Sequence, residues 1–254
     1  MTCANRLSSG GSPLNSANLQ TPGINIQDRQ WYLLGQTDAR AGNAKDEKVR
    51  AAALAGTGYS VQALVTCKQV HSAEVVWVSP SGPKLHPGKD GLPRRPSAVA
   101  DGLLTNVPGL VLGVYSADCM PVFLAEPQNK RVGVVHAGWR GTSGKIATAA
   151  LAEILKNSSG NASSVQVHFG PHIRGCCYEV GRDTAKHFPQ ESYRETGGKI
   201  LLSLEKAVKM ELQAAGVPAG NMTSDKLCTY CSPNFFSYRK DKTEQRMLSF
   251  IVKK

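Results

Sequence analysis

The sequence predicts an α+β protein: one domain built on mixed or antiparallel β-sheets. Strand-like apolar runs come in succession, and helical segments interrupt them at irregular intervals instead of alternating with them. No segment repeats at a solenoid period. With 254 residues, 41% of them hydrophobic, the chain can bury a core that needs no disulfide staples.

Residues 1–30 are rich in Ser, Asn, Gly and Pro. They read as a loosely ordered N-terminal arm with a short edge strand over 23–26, and residues 31–254 as the domain itself. Residues 45–54, charged and alanine-rich, predict a helix ended by the glycines at 56 and 58. The β-branched runs 61–67 and 74–78 predict strands, with His71 in the bend between them. The Pro/Gly/Lys/Arg stretch 80–96 is assigned no regular structure. Strands follow over 109–115, 121–125 and 131–136, the last two forming a hairpin about EPQNK. After the turn 138–142, Ile146, Ala150, Leu151, Ile154 and Leu155 form an apolar stripe, which predicts a helix over 143–157 closed by Gly160. Val165, Val167 and Phe169 alternate as a strand that turns His168 to an exposed face, and 170–181 is a glycine-punctuated loop. A short helix is expected over 182–188. A second, capped by Ser203, runs to residue 215 before Gly216 and Pro218, and a last strand covers 247–252.

A formal charge of +11 suggests anionic company such as phosphate-bearing substrates. A nucleic-acid-binding module is one reading of that charge. Against it, only 6% of residues are aromatic, the basic residues are scattered, and no RRM, KH or zinc-finger signature occurs. Seven cysteines, an odd number without the spacing of a secreted framework, point to reduced thiols. The N-terminus lacks the apolar segment of a signal peptide, and no apolar run approaches the roughly 18 residues that span a bilayer. The expectation is a soluble, cytoplasmic protein.

The chemistry concentrates in residues 99–142. Cys119 and His136 each stand at the end of an apolar run, and His71 ends the upstream CKQVH. Two imidazoles and a thiolate make a three-ligand set of the kind catalytic zinc takes, leaving a position open for water or substrate. Asp101 and Asp118 are candidate acceptors for the imidazole N–H groups behind such ligands. The glycines of HAGWRGT at a helix start, with Arg140 among them, suit an anion such as phosphate.

At these residues the chain resembles the multicopper polyphenol oxidoreductase, or laccase-like, domain family. The motifs are QVH (69–71), ADG (100–102), SADCMP (116–121), HAGWRG (136–141), GP…CCYEVG (170–181) and FFSYRKD (235–241). The resemblance implies a four-layer α/β/β/α fold with mixed sheets, and one metal, usually zinc, on His71, Cys119 and His136. It also implies purine nucleoside phosphorylase activity on adenosine, inosine, guanosine and methylthioadenosine, with adenosine deamination alongside. Some bacterial members are described instead as peptidoglycan editing factors that cleave a misincorporated L-serine from a muramoyl precursor. The chain departs from the family's pattern at Ser116, Ser72 and Thr243-Glu244-Gln245-Arg246, and its first 50 residues match poorly.

The expected reaction is phosphorolysis with inorganic phosphate as co-substrate, held by Arg140 and its neighbouring amides, with Arg239 as a second cation. A metal-free thiol hydrolase is the rival enzyme, Cys119 being the nucleophile and His136 or His71 the base; it suits the amide-cleaving alternative. A multicopper laccase is disfavoured because six histidines include no His-x-His pair. Nitrogen and sulfur ligands suit zinc and copper alike, so the sequence leaves the metal open, together with the preferred nucleoside, the oligomeric state and the proton donor to the leaving base. Cys228-x-x-Cys231 invites a zinc-ribbon or redox reading. A ribbon needs a second pair, and the adjacent Cys176 and Cys177 are poorly spaced for chelation; members of the family commonly carry similar cysteines, so the resemblance implies buried structural thiols. Cys3, Cys67, His86, His172 and His187 receive no role, and Trp139 serves either packing or purine stacking.

Overall fold

Most strands carry apolar side chains on both faces, and this decides the architecture. The protein is seen in a computed structural model that describes residues 22–79, 86–87 and 93–254. The first elements are β1 (Ile24–Asp28), β2 (Tyr32–Thr37), α1 (Glu47–Ala55), β3 (Leu64–Lys68), β4 (Val75–Trp77), β5 (His86–Pro87), β6 (Pro93–Val99) and β7 (Gly102–Thr105). Then come β8 (Val111–Ser116), β9 (Met120–Glu126), β10 (Arg131–Ala137), α2 (Trp139–Ser143), α3 (Ile146–Leu155) and β11 (Gln166–Phe169). The chain ends with β12 (Glu179–Val180), α4 (Arg182–Ala185), β13 (Tyr193–Thr196), β14 (Lys199–Leu202), α5 (Leu204–Ala214), β15 (Met222–Ser224), α6 (Tyr238–Asp241) and β16 (Met247–Lys253).

One large sheet is ordered β1-β2-β16-β8-β3-β6-β5 and a second β15-β11-β9-β10-β7-β4, with a small third sheet, β12-β14-β13. Both large sheets are mixed: β3 is parallel to β8 and β6, while β4 is parallel to β7 and β11 to β15, among antiparallel neighbours. The side-chain period of two assigns each strand to two cores. On β10, Val132 and Val134 face the first sheet, whereas Val135 and Ala137 face the helices α3 and α5. On β9, Phe123 and Ala125 take the first course and Val122 and Leu124 the second. The outer face of the first sheet, with Leu64, Leu248 and Phe250, packs on Leu54 of α1. The layers are therefore α, β, β, α in one domain, which is why these strands read as continuous apolar runs.

Several local expectations are corrected. The helix expected over 143–157 is α3, which starts only at Ile146 after Lys145 in the left-handed region (φ 63°), and the turn expected over 138–142 is itself helical as α2. The stretch 80–96 contains the backbone pairing of β5 with β6, and β6 joins β3 at the sheet margin, where prolines are tolerated; the rest of that stretch lies outside the described residues. His168 is buried, not exposed, because the first sheet covers its face; Gln27, Thr223 and Asp225 surround it. An unexpected hairpin, β13–β14, turns on Gly197 and Gly198 at positive φ, and the Gly-Gly pair is its only local signal. β1, beginning within the residues read as an arm, pairs antiparallel with β2 at the sheet's edge, and residues 1–21 lie outside the described residues.

Candidate metal centre

Three strand ends meet around a buried carboxylate. His71 follows β3 in the left-handed region (φ 62°). Gln69 pins this segment to β8: its side-chain amide donates to Tyr115 O and its carbonyl accepts from Tyr115 N, both at 2.8 Å. Beyond β8 the chain leaves the first sheet through Asp118 (φ 95°) and Cys119 and enters β9 of the second. His136 lies near the end of β10, opposite Pro121 of β9.

Asp101, fully buried just before β7, organises the three. Its carboxylate accepts from the backbone N–H groups of Val70 (3.1 Å), His71 (3.0 Å) and Ser72 (2.6 Å) and from Ser72 Oγ (2.9 Å). His136 Nδ1 lies 2.9 Å from Asp101 Oδ1, so Nδ1–H donates to the carboxylate and Nε2 is turned toward Cys119. The rings of His71 and His136 meet edge to face with centroids 4.9 Å apart. One ligand atom from each of His71, Cys119 and His136 lies within 4.8 Å of the others, so the group could hold a metal ion.

A second observation fits that reading. A Cβ on Gly138 would come 2.9 Å from Cys119 Sγ and 3.1 Å from His71 Cδ2, so the space between two ligands exists only because residue 138 is glycine. Gly138 has ordinary extended backbone angles (φ −75°, ψ 175°), which alanine adopts without strain. Gly138→Ala is therefore expected to weaken metal binding by at least about tenfold, on the scale of other perturbations next to metal ligands, with little change in melting temperature. Competition with a chromophoric chelator measures it.

Burial alone would push the Cys119 thiol up, but the His136 charge and hydrogen bonds from His136 and His71 outweigh it and bring the thiol down to about 6. Burial opposes protonation of His136, yet the Cys119 thiolate and the hydrogen bond to Asp101 raise it to about 9. The metal-free site is thus a thiolate–imidazolium pair at neutral pH. In metal-stripped protein, Cys119 is expected to be alkylated by iodoacetamide with a half-point near pH 6. The metal-loaded protein is protected, and mass spectrometry distinguishes the two.

The triad lines a cavity of about 570 Å³ shared with Lys45, Lys68, Gln69, Tyr115, Tyr238 and Arg246. Lys45, Tyr238 and Arg246 went unremarked as site residues. Arg50, fully buried, grips Lys45 O at 2.5 Å and so sets that lysine's place. Arg140 does not line this cavity; it is exposed, with its guanidinium 4.5 Å from the Trp139 ring centroid, on a face that a stacking purine would need. Arg239 lies over the Tyr178 ring at 5.0 Å and donates to Glu179 O at 2.5 Å, on the rim of a neighbouring cavity of about 730 Å³. Burial and the charges of Cys119 and Asp118 push Tyr178 up to about 12 against Arg239 and Arg140. Asp118 holds no imidazole: its carboxylate accepts from Thr229 Oγ1 (2.6 Å) and Arg239 N (2.7 Å). His172 is buried, with Nδ1 2.8 Å from Gly170 O, and His187 lies beside Trp139.

The cysteines expected to be buried structural thiols are gathered by the fold into one cluster, not all of it buried. Cys176, Cys177, Cys228 and Cys231 bring their sulfurs within 4.8 Å of one another, and Cys176 is exposed. Spacing along the chain misleads because loop 170–181 folds back onto residues 226–232, with His172 N donating to Leu227 O and Thr229 N to His172 O.

Two mixed sheets packed face to face between helices, with a His/Cys/His cluster at their strand ends, define a single-domain α/β protein with a candidate metal centre. The chain belongs to the multi-copper polyphenol oxidoreductase laccase family, whose model matches residues 37–254. It is 36% identical over 203 residues to the "purine nucleoside phosphorylase YlmD" of Geobacillus stearothermophilus, covering 76% of this chain and 73% of that one. It is also 36% identical over 149 residues to "adenosine deaminase RL5" from an unknown prokaryotic organism, covering 55% and 56%. The crystal structure of the Geobacillus YlmD superposes with a TM-score of 0.77 at 28% identity over 92% of this chain and 93% of that one. Bacillus licheniformis YfiH, at 24% identity and a TM-score of 0.80 over 93% and 98%, shares the fold. Relatives with these names support an enzyme. Among the described residues no helix is long and apolar enough to cross a membrane.

Proposed function

We propose that the protein is a zinc-dependent purine nucleoside phosphorylase that also deaminates adenosine, acting on adenosine, inosine, guanosine and methylthioadenosine in the cytoplasm. The observation that carries this is the convergence of His71, Cys119 and His136 beside an open cavity, with Asp101 orienting both histidine segments. In phosphorolysis a phosphate oxygen bonds to C1′ of the ribose as the bond from C1′ to the purine nitrogen breaks, and the base leaves with a proton. Arg239, over the Tyr178 ring, and Arg140, whose charge also reaches that phenol, would supply the cations for a phosphate at the rim. Zn²⁺ on the two imidazoles and the thiolate would supply Lewis-acid polarisation and lower the pKa of a water, which suits deamination. The unit that does this is residues 31–254 together with β1, which the first sheet includes.

The test is release of free purine and ribose 1-phosphate from inosine with and without phosphate; release that does not depend on phosphate overturns the reading. Arg140→Ala is expected to raise KM for phosphate by roughly tenfold to a hundredfold, the worth of a charge-assisted hydrogen bond, with kcat little changed. Initial rates against phosphate concentration show it.

One observation favours a second reading. Cys119, His136 and Asp101 form a nucleophile–base–orienter series, the arrangement of a thiol hydrolase that could cleave an amide in a muramoyl precursor. Chelation separates the two: phosphorolysis is lost when the metal is removed, whereas thiol hydrolysis survives chelation and is lost on alkylation.

A further inference from the structure

The second group of metal-ligating side chains lies outside the cavity that holds the triad. Cys176 and Cys177 come from the loop before β12, and Cys228 and Cys231 from the loop after β15. The two loops are joined by a parallel bridge between His172 and Cys228. Cys228 Sγ accepts backbone N–H bonds from Arg174 (3.5 Å) and from Tyr230 and Cys231. Amides from the second and third residues after a cysteine, both aimed at its sulfur, stabilise a thiolate and hold the turn in the form of a metal-binding knuckle. Without an ion, several thiols packed this closely would repel once ionised, and burial resists their ionisation. A soft divalent ion reverses both effects.

We propose that this cluster is a structural zinc site with Cys176, Cys177 and Cys228 as thiolate ligands. Cys231 is disulfide-bonded in this structure. Its sulfur lies 3.1 Å from that of Cys177 and 3.6 Å from that of Cys176, and it enters as a fourth ligand when that bond is reduced. Three thiolates suffice without it, leaving water in the fourth position. Binding releases the ligands' thiol protons and changes no oxidation state. The ion ties together two loops that wall the reaction site. Thr229, next to Cys228, donates to Asp118, which adjoins Cys119, while Tyr178 and Glu179, next to Cys177, carry Arg239. The site steadies the catalytic one without touching substrate.

The experiment uses the full chain, reduced with a phosphine, loaded with Zn²⁺ and desalted. Two zinc ions per chain are expected in the unaltered protein and one each in Cys119→Ala and Cys228→Ser. Loaded with Cd²⁺, the unaltered protein and Cys119→Ala should show sulfur-to-metal charge-transfer absorption, which Cys228→Ser and the exposed Cys176→Ser should lose in large part. Cys176→Ser removes one surface sulfur, so its circular dichroism should match that of the unaltered chain. The proposal is overturned if Cys119→Ala binds no zinc, or if the charge-transfer band survives in both cluster variants. Because the two sites are read in separate variants, failure here leaves the triad's own zinc count and the phosphorolysis assay unaffected.

Discussion

Cys119→Ala is expected to lower phosphate-dependent release of purine by roughly a thousandfold or more, since losing a metal's transition-state stabilisation removes several kcal/mol. The same variant should lose one metal ion per chain, by elemental analysis, and stay folded, because Cys119 is only partly buried. His71→Ala should do the same with still less effect on stability, as His71 is exposed. Substantial phosphorolysis by Cys119→Ala would refute the metal-dependent reading. Alkylation alone cannot make that distinction, because it silences a ligand and a nucleophile equally.

The largest stability effect should come from Asp101→Ala. The change leaves five donors without their acceptor: the N–H groups of Val70, His71 and Ser72, Ser72 Oγ and His136 Nδ1. A buried hydrogen-bonded carboxylate removed in this way costs roughly 3–5 kcal/mol, or a fall in melting temperature of about 10 °C. Metal affinity should drop as well, by about tenfold to a hundredfold, because nothing then fixes the tautomer of His136. Burial favours the neutral acid, but hydrogen bonds from His136 and Ser72 outweigh it and hold the Asp101 carboxyl at about 2. A depressed folded-state value means the ionised carboxylate contributes its full stability above the ordinary carboxylate pKa of about 4. That contribution is lost as pH falls toward 2. Denaturant unfolding between pH 6 and pH 2 should therefore show the unaltered protein losing more stability on acidification than Asp101→Asn.

Much of this was legible in the primary structure, and what failed did so for particular reasons. The strands β8, β9 and β10 and the helix α5 announce themselves through apolar runs, a turn and the Ser203 cap. β2 carries no such signal: Gly35, Gln36 and Thr37 interrupt its apolar run, and burial of every residue removes any alternation. His168 was turned outward because the alternation of β11 was read as one buried face against solvent, whereas a second sheet covers the other face. Lys45 reaches the triad's cavity from a segment that carries no motif, and Arg246 from one where the family's pattern is altered.

Local chemistry, visible residue by residue, settled which atoms could ligate a metal and where strands would end: nitrogen and sulfur donors occur at the close of apolar runs, and backbone preference acts over a few residues. The meeting of those atoms was decided elsewhere. The Gln69 clamp on Tyr115, the crossover from β8 to β9 and the five donors on Asp101 bring distant segments together. The same holds for Cys176 and Cys177 beside Cys228. Such distances are set by sheet packing and long-range hydrogen bonds, which no local propensity encodes.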